Sequence, residues 1–463
     1  MPAFLRFRPS LFLLPIILML PVRFVFAAGD AGPPLTIARA IEKASRQHPR
    51  IEAHDARVDG AKARVTQARA GFLPRAHVSE KFDRTTNPMW AFGTRLNQAS
   101  ITEPDFDPDR LNNPDAIQNF NTVLGVTWPV YDRGQTRHGV RQAEMGEVAA
   151  GLFLDQARRQ VIADAAVAYF GVLIGQETLS VVDQSLKSAR AHLKMAQDRF
   201  DGGFVVKSDL LRARVRISQL TQERFQAESG LAVARAALNA AMGEPVDREY
   251  HLATPLAAGN GIDTPLEPWV EASLAHRADY LGMKQQEAIA AEEIRKTRAA
   301  HLPSVDLFGN YEINSEDWSD TADNYTLGAM VRLDLYSGGR DAARTREARA
   351  ALKDIRALLR EMEDGIRVQT REAFLQAKSA WGRIGAAGAA VSEAEENLRI
   401  VSDRYRNGLL TIVDLLDAEV ALDQSRKNRF QALHDYKTSL ARLALVTGTI
   451  DETFMGEGPC CIH

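Results

Sequence analysis

Asp198-Arg199-Phe200-Asp201-Gly202-Gly203 returns 205 positions later as Asp403-Arg404-Tyr405-Arg406-Asn407-Gly408. The same offset carries Asp209-Leu210-Leu211 onto Asp414-Leu415-Leu416 and Gly243 onto Gly448. Further upstream, Arg69-Ala70-Gly71-Phe72-Leu73-Pro74 matches Arg298-Ala299-Ala300-His301-Leu302-Pro303, now at an offset of 229. The chain is therefore two copies of one unit, and a repeat at fixed spacing dictates the architecture before any single element does. The offset falls by 24 between Pro74 and about Val123, so the first copy carries an insertion there of that length. Insertions are tolerated where the chain is exposed, which predicts a loop.

Each copy changes periodicity along its length. Thr36 to Phe72, Gly134 to Phe200 and Ser208 to Met242 are rich in Ala, Arg, Glu and Gln, with apolar residues at helical spacing. The second copy offers Leu266 to His301, Gly339 to Tyr405 and Ile412 to Val446. A helix of about 66 residues is ~100 Å long. Two helices of about 36 residues match that length only when stacked end to end. Helices this long persist by packing side by side as coiled coils.

Between the helices the period is two. Tyr325, Leu327, Ala329, Val331, Leu333 and Leu335 fall on one face, and Thr326, Gly328, Met330, Arg332 and Asp334 on the other. Leu124, Val126, Trp128 and Val130 keep the same phase in the first copy. Ala76, Val78 and Phe82 align with Val305, Leu307 and Tyr311, with Glu80 interrupting the apolar side. Each copy thus holds two strands of about ten residues, the length that spans a membrane as a tilted β-strand. Trp90, Phe92, Trp128, Tyr131, Trp318, Tyr325 and Tyr336 crowd this region, as rings do at the interfaces of membrane barrels. Four strands cannot close, since small barrels need about eight, and lipid does not tolerate open edges. The chain must oligomerise, and a through-channel favours three copies over two, because an eight-stranded interior is filled by its own side chains.

With this plan the chain resembles the outer-membrane efflux protein (TolC) family over essentially its whole length after the leader. The most specific match is Asp403 through Ala418, with Arg199 to Leu210 as its repeat. The resemblance implies a mainly α fold with membrane β. A homotrimer shares a 12-stranded β-barrel, continued by a long periplasmic α-helical coiled-coil tunnel. It also implies an exit duct in the outer membrane. The duct serves a periplasmic adaptor and an inner-membrane pump of RND or ABC type, with type I protein secretion as the alternative. Matching aspartates line the periplasmic constriction in the family, which points to Asp414 and Asp417. Asp209 and Tyr405 match positions that hold the entrance shut, and the turns at Gly203 and Gly408 match the adaptor-docking tips. Leu410 stands where some members carry an arginine in the closing network, which leaves Lys207 or Arg406 as the alternative cation.

The residues read the same way on their own. Gly203 and Gly408 suit tight turns between antiparallel helices. Asp414 and Asp417 are three apart and share a helix face, so three copies stack two carboxylate rings, a device for cation selectivity. The same pair also suits the first turn of a helix, where acids meet the positive end of the dipole.

Met1 to Ala27 reads as an export signal, with Arg6 and Arg8 before the apolar run Leu11 to Leu20 and small residues at Val25-Phe26-Ala27. No further stretch reaches the ~18–20 continuous apolar residues of a spanning helix. The formal charge of −3 argues against nucleic acid as partner. Mean hydropathy of −0.24 argues against a bundle of membrane helices but not against a barrel. Cys460 and Cys461, the only cysteines, sit at the extreme C-terminus and staple no fold. There is no Walker loop, no HExxH and no Gly-x-Ser-x-Gly, so neither a cofactor nor catalysis is expected. The expected division is signal 1–27, first repeat 28–243 with a loop over 87–119, linker 244–265, second repeat 266–448 and tail 449–463. A non-channel periplasmic coiled-coil scaffold explains the helices and the signal but not the phased strands.

Overall fold

The computed structural model describes residues 34–456. The expected signal and the cysteine pair lie outside the described residues. The chain runs α1 (Ile37–Gln47), α2 (Pro49–Arg69), β1 (Arg75–Thr85), α3 (Pro88–Asn97), α4 (Pro108–Asn112), β2 (Ile117–Tyr131), α5 (Gln135–Asp201) and α6 (Lys207–Ala241). It continues through α7 (Leu266–His276), α8 (Ala278–Arg298), β3 (Ser304–Ser315), β4 (Ala322–Arg332), α9 (Arg340–Arg406) and α10 (Ile412–Val446). Helices α5 and α9 each hold 67 residues, ~100 Å of rod.

The first helix of each copy is broken, contrary to expectation. Pro49 disfavours helical geometry at the residue before it, and His48 sits extended at φ −72° and ψ 128°. In the second copy Arg277 takes the same geometry without a proline, at φ −68° and ψ 116°. A stacking joint explains both breaks. The chain leaving α6 arrives at Gly243, where an added Cβ would lie 3.0 Å from the Gln47 carbonyl. The chain leaving α10 arrives at Gly448, where it would lie 2.7 Å from the His276 carbonyl. Both glycines have positive φ, so only glycine meets both demands. Thus α6 and α2 stack end to end alongside α5, and α10 and α8 do the same beside α9.

Around these joints lies the main apolar core. Ile162, Tyr169, Phe170 and Leu173 of α5 pack against Ile37 and Ile41 of α1, Leu238 of α6 and Ala441 of α10. One stretch of α5 is long and apolar enough to cross a membrane by composition alone, and this core accounts for its hydrophobicity. Residue Leu35 pairs with the 244–265 segment, donating to the His251 carbonyl at 2.8 Å, while its own carbonyl accepts from Tyr169 Oη at 2.9 Å.

The four strands form one antiparallel sheet in the order β1-β2-β3-β4. Register places Val78, Leu124, Tyr311 and Tyr325 in one row, and Ala76, Val126, Gly309 and Leu327 in the next. Trp128, Leu307 and Ala329 extend that face. The opposite face carries His77, Asn310 and Thr326, then Lys81, Asn121 and Asn314. Leu327 is 75% exposed and Val78 72%, so the apolar face has no cover within the protomer. Strand β4 stops at Arg332, where its partner β3 begins at Ser304 just after Pro303. Leu333 and Leu335, expected within the strand, therefore lie beyond it. The predicted loop over 87–119 holds α3 and α4, with Asn87 and Asp107 capping and a proline at the first helical turn of each. Trp90 and Phe92 accordingly sit on a helix, and β2 begins at Ile117 inside the predicted loop.

At the α6 end of the first joint, Glu244 accepts from Lys43 Nζ at 2.7 Å and from Gln47 Nε2 at 2.9 Å. The Lys43 bond first, then that of Gln47, holds its carboxyl down at about 2 despite burial. A depressed acid contributes stability above its unfolded value of 4.5, lost as pH falls toward about 2. Thermal unfolding of Glu244→Gln should therefore show a lowered Tm at pH 7 and a deficit that closes progressively between pH 4.5 and about 2.

Candidate functional site

The ends of the long helices farthest from the sheet hold the expected site residues. Both turns follow one recipe. Gly203 and Gly408 each take φ of 76°, and the following residue's N–H returns to the last helical turn, Phe204 to Arg199 and Leu409 to Arg404. Phe204 and Leu409 project from these tips, 83% and 72% exposed.

The two hairpins clasp at the tips. Arg199 of α5 donates from Nη2 to the Arg406 carbonyl at 2.7 Å, and its guanidinium lies 4.8 Å from the Tyr405 ring centroid. Tyr405 is buried with Ala196, Ala213, Ile412 and Leu415. Its hydroxyl is buried without a hydrogen-bond partner. Asp209, half-exposed in the first turn of α6, is therefore not bonded to Tyr405 within the protomer. Arg406 approaches Asp403 of its own helix at 3.8 Å.

Asp414 closes a capping box on α10. Its carboxylate accepts from Thr411 N at 2.9 Å and Thr411 Oγ1 at 2.7 Å, while its own N–H donates to Thr411 Oγ1 at 3.4 Å. The Thr411 hydroxyl, then the Thr411 amide, lowers its pKa below the ordinary carboxylate value. The first-turn reading of Asp414 thus holds, and the cap fixes the charge in place and keeps it ionised. Asp417, one turn on, is exposed and lines a cleft between α6 and α10 with Leu211, Arg212, Val215 and Val420.

Above the tip lies a polar cluster that the sequence reading did not single out. Asp423 of α10 accepts from Ser185 Oγ of α5 at 2.5 Å and from Arg216 Nη2 of α6 at 2.8 Å. Glu419, one turn below, lies 2.8 Å from His192 Nε2 of α5, and Lys427, one turn above, bonds Glu223 of α6 at 2.7 Å. Burial pushes the Asp423 carboxyl up, against the pull of Ser185 and Arg216. The only trace in the sequence is the four-residue spacing of Glu419, Asp423 and Lys427, which an exposed helix face would show equally. The cluster ties α10 to the α5–α6 hairpin, so the two copies are joined by ion pairs as well as by packing. No group of three or more His, Cys, Asp or Glu side chains suited to a metal ion occurs among the described residues.

Comparison with known proteins follows the same architecture. The profile of the family described as outer membrane efflux protein matches residues 40–244 and 269–449. Outer membrane protein TolC of Vibrio cholerae is 24% identical over 90% of this chain and 91% of its own length. Alkaline protease secretion protein AprF of Pseudomonas aeruginosa is 24% identical over 89% of this chain and 83% of its own. Among solved structures, the CmeC outer membrane channel of Campylobacter jejuni superposes with a TM-score of 0.76 at 16% identity, covering 90% of this chain and 87% of CmeC. The outer membrane protein VceC of Vibrio cholerae gives 0.73 at 19% identity, covering 89% and 96%.

Removing one partner of a buried ion pair strands the other. Arg216→Ala, which leaves Asp423 without its cation while Glu223 keeps Lys427, should destabilise the helical body by ~3 kcal/mol in chemical denaturation. Arg216→Met with Asp423→Leu should recover most of that loss, since a packed apolar pair is no worse than a buried ionic one.

Proposed function

The chain belongs to the outer membrane efflux protein family, and from that premise we propose that three copies form an outer-membrane exit duct. The duct passes cargo delivered by a periplasmic adaptor and an inner-membrane pump. The observation that carries this reading is the sheet. Four phased strands present an apolar face to the outside and a polar face to the inside, and both edge strands are unpaired. Three such sheets close a 12-stranded barrel with a lipid-facing exterior and a wet lumen. The helical body, ~100 Å long, then continues the lumen across the periplasm as a tunnel of packed coiled coils. The exposed apolar face has no role in a periplasmic scaffold, so that alternative is set aside.

At the tunnel entrance Asp414 and Asp417 form stacked carboxylate rings around the axis. The cap on Asp414 supports this role, because a carboxylate held ionised by Thr411 resists the rise in pKa that two neighbouring copies impose. Asp209 and Tyr405 gate the entrance across the junction of hairpins, and the tips at Gly203 and Gly408 meet the adaptor. A secretion duct for polypeptides is the second reading, favoured by the equal similarity to a protein named for protease secretion.

Reconstituted into planar bilayers, the protein should conduct as a cation-selective pore blocked by divalent cations from the helical end. The double variant Asp414→Ala, Asp417→Ala should lose much of that selectivity and block. Selectivity and block unchanged from the parent would remove the carboxylate rings from the account.

A further inference from the structure

The two copies differ most between their strands, where the first carries α3 and α4 over residues 86–116 and the second only the turn 316–321. Helix α3 touches both β2 and β4, so it reaches across the sheet at the end remote from the tunnel. It lies on the polar face. Gln98, which caps α3, donates from Nε2 to Asn119 Oδ1 at 2.9 Å and to the Gln118 carbonyl at 2.7 Å. Asn119 in turn donates to Asn314 Oδ1 at 2.9 Å, and Asn121 reaches the same oxygen at 2.9 Å. Asn119 and Asn314 are buried, as are Ile117 of β2 and Ala91 of α3. On the opposite face at this height Phe82, Phe120 and Trp318 stack with centroids 4.9 and 5.2 Å apart, and Phe82 and Trp318 stay half-exposed, uncovered by α3.

From this placement we infer that the α3–α4 insertion is a lid folded over the extracellular mouth of the barrel, pinned to its inner wall by the Gln98–Asn119–Asn314 amide chain. The inference rests on the duct reading, which makes the polar face luminal. Size decides that it closes the mouth. Twelve strands ~4.8 Å apart and tilted ~40° make a ring roughly 24 Å across between backbones. A helix is ~10 Å thick with its side chains, and α3 at 10 residues is ~15 Å long. Three of them, one per protomer, fill most of that opening. The pinning is releasable. Gln98 Oε1 and Asn314 Nδ2 are buried without partners, so lifting the lid hydrates two orphaned groups and offsets the bonds it breaks. A duct that admits cargo from the periplasmic end gains a second barrier, against solutes from outside.

The test is thiol accessibility in intact cells, using the full-length protein with Cys460→Ser and Cys461→Ser. Ser79→Cys places a thiol on the polar face of β1, below the lid. A small charged methanethiosulfonate should label it readily, and a maleimide bearing a bulky rigid fluorophore should label it slowly. Adding Gln98→Ala and Asn119→Ala should speed the bulky reagent about tenfold, the effect of losing the two Gln98 hydrogen bonds that join the lid to the wall. Replacing 88–113 by a short Gly-Ser turn should speed it further, with the small reagent unaffected. Equal bulky labelling of parent, point variant and deletion would overturn the lid. Val78→Cys, on the apolar face, reports on the barrel separately. Labelling of Val78→Cys by the small charged reagent as fast as Ser79→Cys would overturn the duct reading itself.

Discussion

Unpaired backbone cannot stand in hydrocarbon. Each exposed N–H or C=O there costs several kcal/mol, and β1 and β4, at 11 residues each, leave one full edge apiece. A protomer with this sheet cannot enter a bilayer alone, so the edges of one copy must meet those of the next. The remainder of the molecule follows from that requirement. A ring of three copies places α5 and α9 of each around a common axis, and rods ~100 Å long find in their neighbours the lateral packing that a single chain cannot supply. Stacking joints at Gly243 and Gly448 let two shorter helices run the length of one long helix, so every protomer presents four parallel tracks to the wall.

The duplication, the helix lengths and the strand phase were legible because they rest on period. An alternation of two cannot be packed as a helix, and a 205-residue offset survives drift at individual positions. Long helices α5 and α9 lie within a residue of expectation, since Gly134 and Gly339 cap their starts with positive φ. What was not legible depends on contacts far apart in sequence. Nothing around Arg277 announces a helix break, because its cause is the arrival of Gly448 from α10. The insertion read as a loop because its helices are only 10 and 5 residues, too short for a periodic signal. The ion-pair cluster around Asp423 draws its members from three helices, and no local pattern marks it.

At the candidate entrance the residue types were readable and their local bonding was not. Asp414 serves as a cap within its own protomer, which the spacing Thr411-x-x-Asp414 permits but does not require. Tyr405 keeps a buried hydroxyl with no hydrogen-bond partner inside its own protomer. Leu410 brings no cation to the turn, and Arg199 clasps the two hairpins through the Arg406 carbonyl and the Tyr405 ring. The tip is thus held by a cation over an aromatic face and a backbone acceptor.

The central claim is closure by three copies, and single-particle imaging of protein extracted from the outer-membrane fraction in mild detergent tests it most directly. The account predicts three-fold particles, a short detergent-belted barrel at one end and a helical extension of ~100 Å. A soluble monomer, or an elongated rod without a detergent belt, would contradict it.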